Sequence, residues 1–202
     1  MGVFHINTEM SDYLPHIDTR CCKTIWHAAR EGHLACMRYA HENGRKWHPE
    51  TTYIAALNGH LECLRYAYDN GCEWDPTTTY GAARIGSLEC LQYAHDNGCE
   101  WDPETTLVAV EYGQLECLQY AHDNGCEWDP DTTNGAAFNG HLECLMYIYK
   151  YCGDVATWEN AKLEKDFGNF PEEIQAYINS VRENWKAGLN KPGTRTLSAV
   201  KG

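Results

Sequence analysis

The sequence predicts an all-α solenoid of five short helix-turn-helix repeats, and recurring residues carry that expectation. Cys36, Cys63, Cys90, Cys117 and Cys144 stand at a constant step of 27 residues, and Trp47, Trp74, Trp101 and Trp128 keep the same step. A fixed period between about 20 and 50 residues marks stacked supersecondary units, none of which can bury its apolar face alone. Gly32, Gly59, Gly86, Gly113 and Gly140 recur in phase with them, as do the leucines from Leu34 to Leu142 and the tyrosines from Tyr39 to Tyr147.

Five units follow, 24–50, 51–77, 78–104, 105–131 and 132–158, preceded by an N-terminal cap over 1–23. The unit 105–131 illustrates how each becomes two helices. Asp102-Pro103-Glu104 offers a capping carboxylate, a proline for the first helical position and an acid for the first turn, so the first helix is expected from about Pro103 to about Tyr112. Gly113 can take the left-handed conformation that stops it. A second helix from about Gln114 to about Asp123 carries Leu115, Cys117 or Leu118, and Ala121 as a core-facing stripe, and Asn124-Gly125 ends it. Helices of about ten residues are marginal alone, so each pair depends on its neighbours. After the fifth unit, apolar residues at 174, 177, 178, 181 and 185 behind Pro171 predict an amphipathic helix within a capping region 159–189. Residues 190–202 read as a flexible basic tail.

The segments Ala-Ala-Leu-Asn-Gly-His-Leu-Glu-Cys-Leu at 55–64 and Ala-Ala-Phe-Asn-Gly-His-Leu-Glu-Cys-Leu at 136–145 resemble the ankyrin-repeat core. The resemblance covers residues 24–158 and recurs five times. An ordinary ankyrin repeat has 33 residues and a Thr-Pro-Leu-His segment at its first helix. Here Glu50-Thr51-Thr52-Tyr53 and Thr77-Thr78-Thr79-Tyr80 stand in that place, and only Gly-Cys-Glu-Trp-Asp-Pro joins unit to unit. The six missing residues belong to the β-hairpin, so shortened or absent hairpins are expected. Such short repeats are similar to ankyrin-like arrays of large DNA viruses of protists and of some algae and oomycetes.

The formal net charge is −13, and the segment 51–131 holds all of it, with fifteen acids and two bases. Such an excess of carboxylates repels a phosphate backbone and argues against nucleic acid as a partner. A hydrophobic fraction of 43% is enough to bury a core. The N-terminal residues lack a basic start followed by an apolar run, and no stretch approaches the roughly 18 apolar residues of a membrane span. An intracellular, cytoplasmic protein without membrane contact is the expectation.

His33-x-x-Cys36, His60-x-x-Cys63 and His141-x-x-Cys144 each place two zinc-type ligands on neighbouring helix positions. The cysteine of each pair fits an apolar core slot, and Ser87 and Gln114 occupy the histidine place in the other two units, which a metal site would not allow, so no metal and no cofactor are expected. Equivalent cysteines in adjacent units should lie about 8–10 Å apart, beyond the roughly 7 Å a disulfide allows. The ladders Cys36/63/90/117/144 and Cys72/99/126 are therefore expected to be reduced, while Cys21, Cys22 and Cys152 fall outside them. The recurring tryptophans stand beside Asp-Pro turns and acids, which favours packing between units over a base-stacking platform. No phosphate loop, nucleophile elbow or His-Glu-x-x-His is present, so neither catalysis nor a small-molecule substrate is expected.

The units disagree most between the Ala pair and the glycine, at Arg30-Glu31, Leu57-Asn58, Arg84-Ile85, Glu111-Tyr112 and Phe138-Asn139. The ankyrin resemblance implies that such positions face the concave side and contact a protein partner. Leu57, Ile85, Tyr112 and Phe138 are expected as exposed apolar anchors, with Asn58, Arg84, Glu111 and Asn139 beside them. The acidic balance implies a partner of basic or neutral surface. Two other roles stay open: a ubiquitin-ligase adaptor, because Phe170-Pro171-Glu172-Glu173-Ile174 resembles the opening of an F-box, and a structural part of a larger assembly such as a viral particle.

Overall fold

The computed structural model describes residues 22–129, 131–151 and 167–187, apart from the side chain of residue 185. Ten short helices run as five antiparallel pairs: α1 (Ile25–Glu31) and α2 (Leu34–Glu42), α3 (Thr51–Leu57) and α4 (Leu61–Asp69), α5 (Thr78–Ile85) and α6 (Leu88–Asp96), α7 (Thr105–Glu111) and α8 (Leu115–Asp123), α9 (Thr132–Asn139) and α10 (Leu142–Tyr151). A 3-10 turn at Phe167–Asn169 leads to α11 (Glu172–Lys186). No strand occurs among the described residues. Residues 1–21, 130, 152–166 and 188–202 lie outside the described set, and with them most of the N-terminal cap, Cys21, Cys152 and the basic tail.

Each pair packs its first helix on the first helices of its neighbours, more extensively than second helix packs on second helix. The alanine pairs explain the difference. Ala28-Ala29, Ala55-Ala56, Ala82-Ala83 and Ala136-Ala137 are fully buried, with Ala109-Val110 in the fourth unit, and small side chains let backbones approach closely. The second helices contribute the larger plugs Leu64, Leu91, Leu118 and Leu145, all at 0% exposure, each stabilising by about 1.5–3 kcal/mol. In α8 the buried stripe is Cys117, Leu118 and Ala121, while Leu115 is half-buried at its edge.

The expected start of the first helices needs correction. The helix α7 begins at Thr105, two residues after Pro103. Asp102 does accept the Glu104 N–H on Oδ1 at 2.8 Å, and its carbonyl accepts the Thr105 N–H at 3.0 Å. The carboxylate therefore closes a turn ahead of the helix, and the proline stands inside that turn. Burial decides the matter: Thr105 and Thr106 are fully buried and open the helix from within the core.

The threonine pairs that replace Thr-Pro-Leu-His tie successive units together. The N–H groups of Asp75, Asp102 and Asp129 donate to Oγ1 of Thr52, Thr79 and Thr106 at 2.9, 2.9 and 3.1 Å. Thr78 Oγ1 meets Thr52 Oγ1 at 3.1 Å, and Thr79 Oγ1 meets Thr105 Oγ1 at 3.2 Å. A buried hydroxyl is tolerated only when it is hydrogen-bonded, and here the bonds between threonine hydroxyls reach into the neighbouring unit.

The helix α11 follows Pro171 and buries Ile174, Ile178 and Val181. Phe170, Ile174 and Ile178 join the continuous core of the array, and the Tyr177 ring meets Tyr149 edge-on at 6.2 Å.

Candidate interaction face

The variable residues stand at the ends of α3, α5, α7 and α9, where the chain turns through glycine into the second helix. The glycine is required by geometry. Gly113 sits at φ +70°, and a Cβ there would lie 2.6 Å from Nδ1 of His141 in the following unit. His141 Nε2 in turn donates to the Glu111 carbonyl at 3.1 Å. His60 repeats the arrangement over Gly32, with Nε2 donating to the Arg30 carbonyl at 3.1 Å. Each such turn is therefore held by a ring reaching back one unit, and the preceding side chains are carried on a fixed backbone.

Along this row the structure separates the expected anchors. Ile85 is 49% exposed, Tyr112 48% and Phe138 58%. Leu57 departs from the expectation: it is half-buried and packs on the core cluster. Asn58 and Asn139 donate from Nδ2 to the carbonyls of Ile54 and Gly135, at 2.8 and 2.9 Å, and so satisfy their own helix ends. Glu111 is exposed. The Arg84 guanidinium lies over the Tyr112 ring, 5.2 Å from its centroid, and joins two units across the face.

The opposite seam is built from the tryptophans. Trp47, Trp74 and Trp101 donate from Nε1 to the carbonyls of Asn70, Asn97 and Asn124, at 3.1, 3.0 and 3.2 Å. One ring face of each is covered by His41, Tyr68 or His95, with centroids at 4.4, 4.4 and 4.3 Å. Tyr66, Tyr93 and Tyr120 of the next unit meet them edge-on. These indoles pack the joint between units, as their place beside the turns implied.

The acids are more engaged than solvated helix-end charges would be. Tyr93 and Tyr120 donate to Oδ1 of Asp69 and Asp96 at 2.8 and 2.9 Å, each across a unit boundary. Both basic residues of segment 51–131 are also used between units, Arg84 over Tyr112 and Arg65 over the Tyr93 ring at 5.0 Å. Glu62, Glu89, Glu116 and Glu143 stay exposed in the first turns of the second helices, where an acid complements the helix dipole.

Burial also governs the thiols. Cys63, Cys90, Cys117 and Cys144 are at most 1% exposed, and Cys72, Cys99 and Cys126 at most 5%. No disulfide joins any of the described cysteines. Burial, reinforced by Glu116, pushes Cys117 up to about 12, and burial pushes Cys63 up to about 11. These groups are neutral fillers without nucleophilic character.

Tandem helix pairs stacked through buried small residues, with histidine over glycine at two of the turns, form an ankyrin-type helical solenoid. The fold is similar to the crystal structure of the human ASB11 ankyrin repeat domain, with a TM-score of 0.66, 16% sequence identity, and coverage of 87% of this chain and 94% of that one. No protein-family model and no curated protein matches the sequence. Among the described residues, no helix is long and apolar enough to cross a membrane.

Proposed function

We propose that this chain is a non-catalytic protein-binding module whose variable first-helix ends, Leu57, Asn58, Arg84, Ile85, Glu111, Tyr112, Phe138 and Asn139, contact the partner. The observation that carries the reading is the row Ile85, Tyr112, Phe138: large apolar side chains left about half exposed at successive units. Exposed aromatic and aliphatic side chains on a rigid frame are what interface anchors require. Half-buried Leu57 and the helix-capping asparagines form the rim of the contact, and the three exposed residues form its centre. The adaptor role gains no support from α11, because Phe170 and Ile174, the residues of the F-box-like opening, are buried against the array.

The test compares capture from cell extract by the wild-type chain and by a variant carrying Ile85→Ser, Tyr112→Ser and Phe138→Ser. A partner held by the wild type and lost by the variant, with helix content unchanged, is the expected result. Equal recovery by both chains overturns the assignment.

A further inference from the structure

We propose that Cys22, His33 and Cys36 form a zinc site at the N-terminal end of the array, tying the segment that enters the solenoid to the turn between α1 and α2.

The cluster is unique among the described residues: one ligand atom from each of these three side chains lies within 4.8 Å of the others. Cys22 Sγ is 3.1 Å from His33 Nδ1. In a tetrahedral site, zinc to sulfur at about 2.3 Å and zinc to nitrogen at about 2.0–2.1 Å place the ligand atoms roughly 3.3–3.8 Å apart. Side-chain rotation of a fraction of an ångström to about one ångström brings all three into register. Two thiols with one imidazole form a donor set suited to zinc, and both thiols lose their protons to solvent as the ion binds.

The same His-x-x-Cys spacing is structural in the inner units, and the difference is one of position. His60 and His141 reach back to a carbonyl of the preceding unit, and Cys63 and Cys144 are sealed at 1% exposure. Among the described residues, no helix precedes α1. His33 accordingly turns its ring to Cys22, Cys36 is half-exposed, and Tyr39, whose equivalents pack on the preceding unit, is 51% exposed. The substitutions Ser87 and Gln114 therefore exclude a ladder of zinc sites while leaving a single site at the end of the array untouched. Three protein ligands leave one tetrahedral corner for water, and the exposure of His33 keeps that corner open to solvent.

The experiment uses the full chain, purified under reductant, with zinc and cobalt(II) as probes. One equivalent of zinc retained per chain is expected, together with the sulfur-to-metal charge-transfer absorption of tetrahedral cobalt when cobalt replaces it. Cys22→Ser, His33→Gln and Cys36→Ser should each weaken zinc binding by more than about 100-fold, beyond the cost of losing a supporting contact. His60→Gln, the same motif one unit on, should leave binding unchanged. Added zinc should raise the melting temperature of the wild type and not of Cys22→Ser. Circular dichroism shows whether each variant keeps its helices. Absence of retained zinc and of thiolate-cobalt absorption overturns the proposal. So does a Cys22–Cys36 disulfide that persists with zinc present, or equal loss of binding in His60→Gln.

Discussion

Trp101 and Asn124 are joined across a unit boundary by a 3.2 Å hydrogen bond from the indole Nε1 to the backbone carbonyl. The carbonyl belongs to the end of α8, where the last helical acceptors have no partner within the helix. One side chain thus completes the end of the next unit while its ring packs between His95 and Tyr120.

Trp101→Phe should therefore separate the two contributions. Loss of the hydrogen bond, with a smaller ring left to pack, is expected to cost about 1 kcal/mol or slightly more. Trp101→Ala removes the ring as well and should cost about 2–3 kcal/mol, below the 3–5 of a fully buried tryptophan because Trp101 is half-exposed. Urea unfolding at neutral pH measures both, and equal midpoints for the two variants would show that the ring carries nothing.

Gly113 and Gly125 offer a matched comparison of conformation and contact. Both have positive φ, +70° and +82°, yet a Cβ at Gly125 meets nothing within 4 Å while one at Gly113 strikes the His141 ring. Gly125→Ala should cost about 1 kcal/mol, the usual penalty of a left-handed alanine. Gly113→Ala should cost clearly more, and combination with His141→Ala should recover part of the excess. A double-mutant cycle in thermal or urea unfolding reads the coupling directly.

The periodicity made the architecture legible because each unit repeats one packing solution, so glycine, leucine, cysteine and tryptophan return wherever the same contact returns. What periodicity could not supply was the identity of the contact. Thr78 and Thr79 stood out as departures from Thr-Pro-Leu-His, but their hydroxyl bonds to Thr52 and Thr105 connect residues in different units, and spacing alone carries no such information. Pro103 misled for a related reason: local preference favours proline at the first helical position, whereas burial of Thr105 and Thr106 moved the start inward. On the candidate face, variability located the row, and Leu57 was separable from Ile85 only by packing. The Cys22 cluster was illegible because its members are brought together by the end of the array, where the repeat rule no longer holds.

The buried thiols predict an alkaline limit to stability. Cys63, Cys72, Cys99 and Cys126 are raised from 9.0 to about 11, and Cys117 and Cys144 to about 12, in each case chiefly by burial. A thiol with a higher value in the folded chain holds its proton there after the unfolded chain has released it. Its contribution is complete below about pH 9 and declines as pH rises through the folded value, with a slope of up to about 1.4 kcal/mol per pH unit for each thiol. Urea unfolding under reductant should therefore show a steep fall in stability from about pH 9 upward. Cys117→Ala should be less stable at neutral pH but show a shallower alkaline slope. A slope that does not change in that variant would assign the alkaline loss to other groups.

The acidic segment makes a kinetic prediction about the partner. Fifteen acids face two bases over residues 51–131, and both bases already stack on tyrosines of the next unit. Asp69 and Asp96 accept tyrosine hydroxyls, but these bonds leave their charge in place. The field around the array therefore remains negative and should steer a basic surface toward the Ile85, Tyr112 and Phe138 row. Raising ionic strength from about 0.01 to about 0.1 M shortens the screening length from about 30 to about 10 Å. The association rate with the captured partner should fall by about tenfold or more over that range, while dissociation, governed by the apolar anchors, changes little. The triple serine variant should show the reverse, faster dissociation with an unaltered salt slope. Stopped-flow mixing over a salt series measures both, and an association rate indifferent to salt would assign the acids to solubility and to the seams between units.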